Sequence, residues 1–327
     1  MDVEKEISNR AVVFNEELDR FLNRQSPENL YDATRHLPLA GGKRLRPVLS
    51  MLACEAVSGE YRKVIPFALA VEIIHNFTLV HDDIMDKSSL RRSTPTVHVE
   101  YGEPTAIIAG DLLFAKAFEA LEKYPEQTKE FRQLYRHLIQ SVVEVCEGQQ
   151  FDMNFEKRLI INESEYLDMI KMKTSALFRI ACEGGGLIGG ASEQIQQALC
   201  TYGTSLGLSF QIWDDYLDMS SDIKTLGKDI GNDIRNGKKT IIAVHSLTHA
   251  TGNDKQILTD IFGKQSANTD EIHQVFTVFK NVGSIDYAKE KAEQYCTQAK
   301  DALSLLKESN AKQVLMGLAD YAMTREK

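Results

Sequence analysis

Apolar positions along this chain recur at three- and four-residue spacing over long stretches, a period that belongs to helices and not to strands. LYRHLIQSVVEVCEGQQFDM and AEQYCTQAKDALSLLKESNAKQVLMGLADYA both carry it. All seven prolines lie at or before Pro125, so nothing later in the chain carries the strongest helix breaker. Alternating β-branched runs bounded by hairpin turns are missing, and the pattern predicts an all-α protein. VIPFALAVEIIHNFTLVHDDIMD reads as one helix, apolar almost without interruption from Val64 to Val80. Breaks are predicted at LAGGKRLRP, SLRRSTP, EKYPEQ, EGGGLIGG and SDIKTLGKDIGNDIRNGKK. No fixed-period repeat and no low-complexity linker divides the chain, so a single large domain over residues 1–327 is expected.

Composition narrows the class. Of 327 residues, 43% are hydrophobic and 26% charged, which excludes a disordered chain. A net charge of −9 argues against a nucleic-acid partner and a polybasic membrane anchor, although local cationic clusters remain free to hold anions. Cys54, Cys146, Cys182, Cys200 and Cys296 are odd in number and never spaced C-x-x-C, which predicts reduced thiols and not a disulfide framework or zinc site. MDVEKEISNR lacks the apolar stretch of a signal peptide. No run is read as reaching the ~20 apolar residues of a spanning helix. The expectation is a cytoplasmic protein without an integral membrane segment.

Two acidic motifs interrupt this picture. HDDIMD closes one apolar helix, and DDYLD closes another in SLGLSFQIWDDYLDM. Burying three like charges together is costly unless something positive sits among them. At ~100° per residue, Asp82 and Asp86 share a face, with Asp83 beside them. His75 lies on nearly the same stripe two turns earlier. Asp214, Asp215 and Asp218 repeat the spacing, with Gln211 one turn before Asp215. Carboxylates so placed suit a hard divalent cation such as Mg²⁺, which takes one or two of them and completes its shell with water and phosphate. A solvated helix end is the plainer reading of one motif, but acidic residues there oppose the helix dipole, and chance explains the pair poorly.

Basic clusters accompany the acids. GGKRLRP offers Lys43, Arg44 and Arg46, and SSLRRSTP offers Arg91 and Arg92. KMKTS offers Lys173 and Thr174, and GKDIGNDIRNGKKT offers Lys228, Lys238 and Lys239. Arginine binds phosphate oxygens bidentately and lysine acts as a point charge. Together with the acids they suit a polyanion held both directly and through metal, and the apolar helices suit a greasy tail on it. In this order, GGKRLRP, DDIMD with RR, KT, QIWDDYLD and GKDIGND, the chain resembles the short-chain trans-isoprenyl diphosphate synthases, over nearly its whole length.

That resemblance implies an all-α bundle around a deep central cavity, the isoprenoid synthase type, usually a homodimer. It implies condensation of isopentenyl diphosphate with dimethylallyl, geranyl or farnesyl diphosphate, using up to three Mg²⁺ ions. Asp82 and Asp86, supported by Asp83, would bind metal, and so would Asp214, with Asp215 and Asp218 completing that motif. Arg91, Lys173, Lys228 and Lys238 would hold the allylic diphosphate, and Lys43, Arg46, His75 and Arg92 the isopentenyl diphosphate. Thr174 and Gln211 match positions lining the reacting allylic carbon.

Product length is set below the first motif. Helical spacing puts Thr78 beneath Asp82 and rotates Phe77 off that stripe, yet in the resembled family an aromatic five positions before the motif goes with a short product. DDIMD has no insertion, as in archaeal-type geranylgeranyl diphosphate synthases, so a twenty-carbon product is expected, with fifteen carbons the alternative. Ser93 stands where the family commonly has glycine, a change expected to alter the loop more than the chemistry. A class I terpene cyclase would mix Asn, Ser or Thr with Glu in its second motif, and a regulatory subunit would have eroded motifs; neither fits. His81 and His98 read as ordinary hydrogen-bonding histidines, Gln149 and Gln150 as weak cavity candidates, and GGGLIGG as a site of close helix approach or a loop and not a phosphate cradle.

Overall fold

The computed structural model describes residues 2–24, 26–125, 128–220 and 228–324, and among them helices make up nearly all regular structure. In chain order the first are α1 (Val3–Leu22), α2 (Glu28–Leu39), α3 (Leu45–Ser58) and α4 (Ile65–Met85). Two-residue strands β1 (Leu90–Arg91) and β2 (Thr94–Pro95) follow, then α5 (Val97–Tyr101), α6 (Glu103–Leu121), α7 (Lys129–Glu156) and α8 (Glu163–Ile170). The remainder is α9 (Ala176–Ile188), α10 (Glu193–Ser220), α11 (Lys228–Asn236), α12 (Ile241–His249), α13 (Gly252–Ile261), α14 (Thr269–Asn281), α15 (Ser284–Ala302) and α16 (Asn310–Thr324). The all-α expectation holds, with the β1–β2 hairpin as a small addition.

Two units can be distinguished, each with its own packing. The first comprises Met1–Val142, Leu177–Gly203 and Ala302–Leu318; the second comprises Val143–Ala176, Thr204–Asp301 and Ala319–Lys327.

In the first unit α4 is apolar on every side, and Phe67 to Ile74 are buried without a gap, as befits a helix surrounded by others. With its preceding turn it forms a stretch, Arg62–Met85, long and apolar enough to cross a membrane, which corrects the expectation that no run approaches that length. Two thirds of its most apolar 18-residue window is buried inside the protein, as in a core helix. Helix α6 comes close to α4 because five of its eight buried positions, Ala106, Ala109, Gly110, Ala117 and Ala120, are small. Arg44 ties four helices. It donates to Asn15 Oδ1 of α1 at 2.8 Å, to the Pro38 carbonyl of α2 and to Glu72 Oε1 of α4 at 2.8 Å, and it caps α3 itself. Both members of the Arg44–Glu72 pair are almost fully buried, so removing one would strand the other at a cost of about 3–5 kcal/mol.

The glycine cluster behaves as read, although α9 runs through its first three residues and does not break at them. A Cβ on Gly184 would lie 2.0 Å from Phe67, on Gly185 2.4 Å from the Ser50 carbonyl, and on Gly186 2.4 Å from Leu199. The predicted long C-terminal helix is two helices. A 3₁₀ turn at Leu303–Leu305 ends α15, and Ser309 restarts the chain, its Oγ accepting from the Lys312 N–H at 3.1 Å.

In the second unit the core is built by Phe155, Tyr166, Ile212, Ile241, Val275 and Phe279 with their neighbours. Of the cysteines, Cys54, Cys182 and Cys296 are buried and Cys146 is exposed; all five are free thiols.

The β1–β2 turn is strained. Arg91 pairs with Thr94, so the two-residue loop is Arg92–Ser93, with φ of 52° and 61°. Both positive values mark a type I′ turn, which favours glycine at its second position. Left-handed backbone costs an L-residue about 1–2 kcal/mol, and the extra freedom of unfolded glycine offsets about 0.5–1 of that. Ser93→Gly is therefore predicted to raise stability by about 0.5–1 kcal/mol in a urea titration, with the midpoint moving and the slope unchanged.

Candidate active site

In the first unit, α4 ends at Met85 with Asp86 as its C-cap, and Lys87 beyond it turns the chain away with a left-handed φ of 53°. Asp82 and Asp86 stand one turn apart at this C-terminus, where carboxylates oppose the helix dipole and call for a cation. Asp83 turns the other way and is 1% exposed. Its Oδ1 accepts from Arg91 Nε of the hairpin at 2.8 Å, while Oδ2 is buried without a donor. Burial raises the Asp83 pKa, and Arg91 opposes that rise.

The cations of this unit divide by role. Arg44 is the buried tie described above. Arg92 donates to the Leu37 carbonyl at 3.1 Å and to the Gly41 carbonyl at 2.5 Å. Its guanidinium lies against Gly42, where a Cβ would come 3.0 Å from Cζ. Lys43 is exposed at the start of α3. Arg46 stacks over Phe178 at 4.6 Å and reaches His75 Nε2 from Nη1 at 3.1 Å. Guanidinium only donates, so His75 Nε2 accepts and the ring proton sits on Nδ1. Burial, then Arg46, Arg92, Arg91 and Arg44, push the His75 pKa well below its ordinary value.

Phe77 lies on α4 with its ring 4.9 Å from His81 and 5.5 Å from Phe114 of α6. The Thr78 hydroxyl donates to the His75 carbonyl at 2.8 Å. His81 and His98 have ordinary partners, the Ile107 carbonyl at 3.2 Å and Thr96 Oγ1 at 3.2 Å. A larger cavity of about 700 Å³ lies at the opposite end of α4, lined by Phe21, Ile65, Leu69 and Lys123, and holds none of the motif residues.

In the second unit the KMKTS stretch, Lys171–Ser175, is a π-helical turn joining α8 to α9. Such turns re-aim side chains and gather at functional sites. Two glycines hold it from either side. A Cβ on Gly148 of α7 would lie 2.4 Å from Lys173 N, and one on Gly207 of α10 would lie 2.6 Å from Ser175 Cα. Lys173 Nζ donates to Asp152 Oδ2 at 2.5 Å. Thr174 Oγ1 donates to Gln211 Oε1 at 2.9 Å, and Gln211 Nε2 donates to Asp215 Oδ1 at 3.2 Å. These groups line a cavity of about 210 Å³ together with Tyr166, Lys238, Lys239 and Thr240.

Asp215 is buried, like Asp83. Its Oδ2 accepts from Tyr166 OH at 2.7 Å and from the Ile241 N–H at 3.2 Å. Burial raises its pKa to about 6 against the pull of Lys238, Tyr166, Ile241 and Gln211. Asp214 and Asp218 flank it, half-buried. Lys238 lies 3.4 Å from Asp233; burial alone would lower its pKa, but Asp233, Asp215, Asp152 and Asp218 raise it and hold the ammonium charged. Lys239 is pulled down to about 8 by burial, with its Nζ on the Gly237 carbonyl. Lys228 is the first residue of α11, and its side chain lies outside the described residues.

The donor set fits a hard divalent cation. Among the described residues no three His, Cys, Asp or Glu side chains gather into a ready-made cage. Mg²⁺ needs only one or two protein carboxylates, the number and type that Asp82 with Asp86, and Asp214 with Asp218, present one turn apart. The buried, donorless Asp83 Oδ2 adds further oxygen charge beside the first pair.

Sequence reasoning missed Asp152, Tyr166 and the π-turn. Asp152 follows Gly148 by one helical turn and so shares the face that approaches Lys173, and Tyr166 precedes Lys173 by two turns. Those spacings were available signals. Of the two cavity candidates on the same helix, Gln149 is half-buried, and Gln150 is exposed and bonds Asn154 at 3.1 Å.

Comparison with known proteins adds four findings. Residues 27–279 match the family model described as polyprenyl synthetase. The chain is 43% identical over 326 residues to a geranylgeranyl diphosphate synthase of Methanosarcina mazei, covering 100% of this chain and 99% of that protein. Its fold is similar to the geranylgeranyl pyrophosphate synthetase of Pyrococcus horikoshii, at a TM-score of 0.93 and 42% identity over 99% of each chain. It is also similar to a Caulobacter crescentus polyprenyl synthase complexed with calcium and isoprenyl diphosphate, at a TM-score of 0.87 and 29% identity over 98% of each.

A lowered His75 pKa fixes the sign of a pH effect. Between the folded value and about 6.5 the unfolded chain binds the proton and the folded chain does not, so stability rises with pH and is lost on acidification. The thermal midpoint is predicted to fall between pH 7 and 5, and His75→Gln to make that fall shallower; equal slopes would contradict a neutral, half-buried His75.

Proposed function

The chain belongs to the polyprenyl synthetase family, and from that premise we propose that it condenses isopentenyl diphosphate with allylic diphosphates, releasing mainly the twenty-carbon geranylgeranyl diphosphate. It is a prenyltransferase. The observation that carries the product length is Phe77, an aromatic ring five residues before Asp82, fixed between His81 and Phe114. A bulky, immobilised ring there is a floor against further growth of the tail.

Mg²⁺, when bound, neutralises the departing diphosphate so that the allylic carbon–oxygen bond can break. Asp82, Asp86 and Asp214 are the residues that would hold it, Asp83 and Asp215 keeping their helix ends in place. The relative complexed with calcium and isoprenyl diphosphate supports an oxygen-seeking divalent cation. Arg91, Lys173, Lys228 and Lys238 are assigned to the allylic diphosphate, and Lys43, Arg46, His75 and Arg92 to isopentenyl diphosphate. Arg46 offers the latter a guanidinium held by Phe178 and His75. Thr174 and Gln211 present oxygen to the allylic carbon as it becomes cationic, where preorganised dipoles act most strongly. The bond electrons leave with the diphosphate, which then takes the proton lost when the new double bond forms.

The same reading has the chain acting as one domain over residues 1–327, as a homodimer in the cytoplasm. Exposed apolar side chains on α6 and α7 of the first unit, among them Ile107, Ile108, Phe114, Tyr135 and Ile139, support the homodimer. All five cysteines being free supports a reducing compartment.

The test is incubation with isopentenyl diphosphate, Mg²⁺ and dimethylallyl, geranyl or farnesyl diphosphate, with chain lengths read after dephosphorylation. Elongation is predicted to stop at twenty carbons, to vanish with EDTA and return with Mg²⁺, and to pass twenty carbons in Phe77→Ala. A fifteen-carbon stop would overturn the length assignment, and no condensation with any primer would overturn the reading itself.

A further inference from the structure

The hydrogen bonds around Gln211 have only one workable direction. An ionised carboxylate accepts and cannot donate, and Asp215 is met by donors on both oxygens: Tyr166 OH and the Ile241 N–H on Oδ2, Gln211 Nε2 on Oδ1. The amide nitrogen of Gln211 is therefore committed to Asp215. Its oxygen must face the other way, toward Thr174, at 2.9 Å. That oxygen in turn takes the Thr174 hydroxyl proton, which leaves Thr174 Oγ1 with only lone pairs to offer the cavity that these residues line.

Reversing the chain would be unfavourable at each link. An amide flip of Gln211 would set its oxygen against a carboxylate, and a rotated Thr174 hydroxyl would point a proton at the cavity. Tyr166 sits at the head of this chain, fully buried, its hydroxyl donating to Asp215 Oδ2. Tyr166 and Asp215 border the same cavity, but the Tyr166 hydroxyl is spent on Asp215 and the Asp215 oxygens on Tyr166, the Ile241 N–H and Gln211, so both act there through Gln211 and Thr174.

We propose that Tyr166 and Asp215 are positioning residues that set the polarity of this chain, so that Thr174 and Gln211 turn acceptor oxygens, and no proton, toward the carbon that becomes cationic. This rests on the proposed allylic site. It extends that reading by naming how a neutral pair of side chains is made to favour a cation. The cation arises when the allylic carbon–oxygen bond breaks and both electrons depart with the diphosphate.

The experiment compares wild type, Tyr166→Phe, Thr174→Val and the double variant, after thermal unfolding has confirmed that each is folded at the assay temperature. Two readouts are used. The first is kcat and both KM values. The second is binding, with Mg²⁺, of an allylic diphosphate analogue bearing an ammonium at the cationic carbon, against an uncharged thiolodiphosphate analogue. Tyr166→Phe is expected to lower kcat about tenfold, the scale of one lost hydrogen bond to a charged group, with both KM values unchanged within about twofold. The ammonium analogue should weaken by a similar factor and the uncharged one should not. On the Thr174→Val background, Tyr166→Phe should cost little more, since both act through one chain.

Wild-type kcat in Tyr166→Phe would overturn the inference. So would full additivity in the double variant, or equal weakening of both analogues, each of which marks a merely structural tyrosine. A wild type that extends no allylic primer would instead overturn the functional reading on which the inference stands, and the inference with it.

Discussion

A carboxylate inside a protein must be met by donors, and two of them, Asp83 and Asp215, organise the surroundings of both acidic motifs. Each is the second aspartate of its motif, each is buried, and each has a raised pKa because burial disfavours its charge. Each is also met from a distance in sequence. Arg91 comes to Asp83 from a strained hairpin, while Tyr166 and the start of α12 come to Asp215. The inward aspartate fixes the rotation of its helix end, and its neighbours one residue before and three after are left on the other side, where a cation can use them. Spacing alone treats the three carboxylates of a motif as equals; burial separates them into an anchor and a pair of ligands.

Close backbone approach is the second theme, and glycine makes it possible at several points. In the first unit Gly184, Gly185 and Gly186 bring α9 against Phe67, Ser50 and Leu199. In the second, Gly148 and Gly207 clamp the π-turn that carries Lys173 and Thr174. A π-turn widens the helix by one residue and would be lost to a regular helix without neighbours that fit only its widened path. The clamp therefore explains why a lysine and a threonine on adjacent positions can serve two partners, Asp152 and Gln211.

Much of this was legible in the chain. The three- and four-residue apolar period and the absence of late prolines predicted the helices, and the i, i+4 spacing of Asp82 with Asp86 and Asp214 with Asp218 predicted carboxylates sharing a face. Of the two readings of GGGLIGG, close helix approach holds at Gly184, Gly185 and Gly186, while the expected break does not fall there because α9 runs through them. What was not legible depends on partners far along the chain. Arg44 and Arg46 look alike in GGKRLRP, yet Arg44 is consumed by Glu72, Asn15 and Pro38, and only Arg46 stays beside His75. The apolar run into α4 was read from Val64 to Val80, whereas the stretch long and apolar enough to span runs from Arg62 to Met85; Glu72 inside it is buried with Arg44 and so is compatible with a core helix. The break between α15 and α16 hides inside an unbroken apolar period and is set by Ser309.

The central claim is the division of labour within each acidic motif, and Mg²⁺-dependent binding of an unreactive allylic diphosphate analogue, measured by calorimetry alongside the thermal midpoint, tests it most directly. Asp82→Asn and Asp214→Asn are predicted to lose that binding with their midpoints nearly unchanged. Asp83→Asn and Asp215→Asn are predicted to lower the midpoint by several degrees, as loss of about 1–3 kcal/mol in a chain of this size requires. If Asp83→Asn or Asp215→Asn instead keeps the wild-type midpoint and loses metal-dependent binding, the buried aspartates are ligands and not anchors, and the account fails at its base.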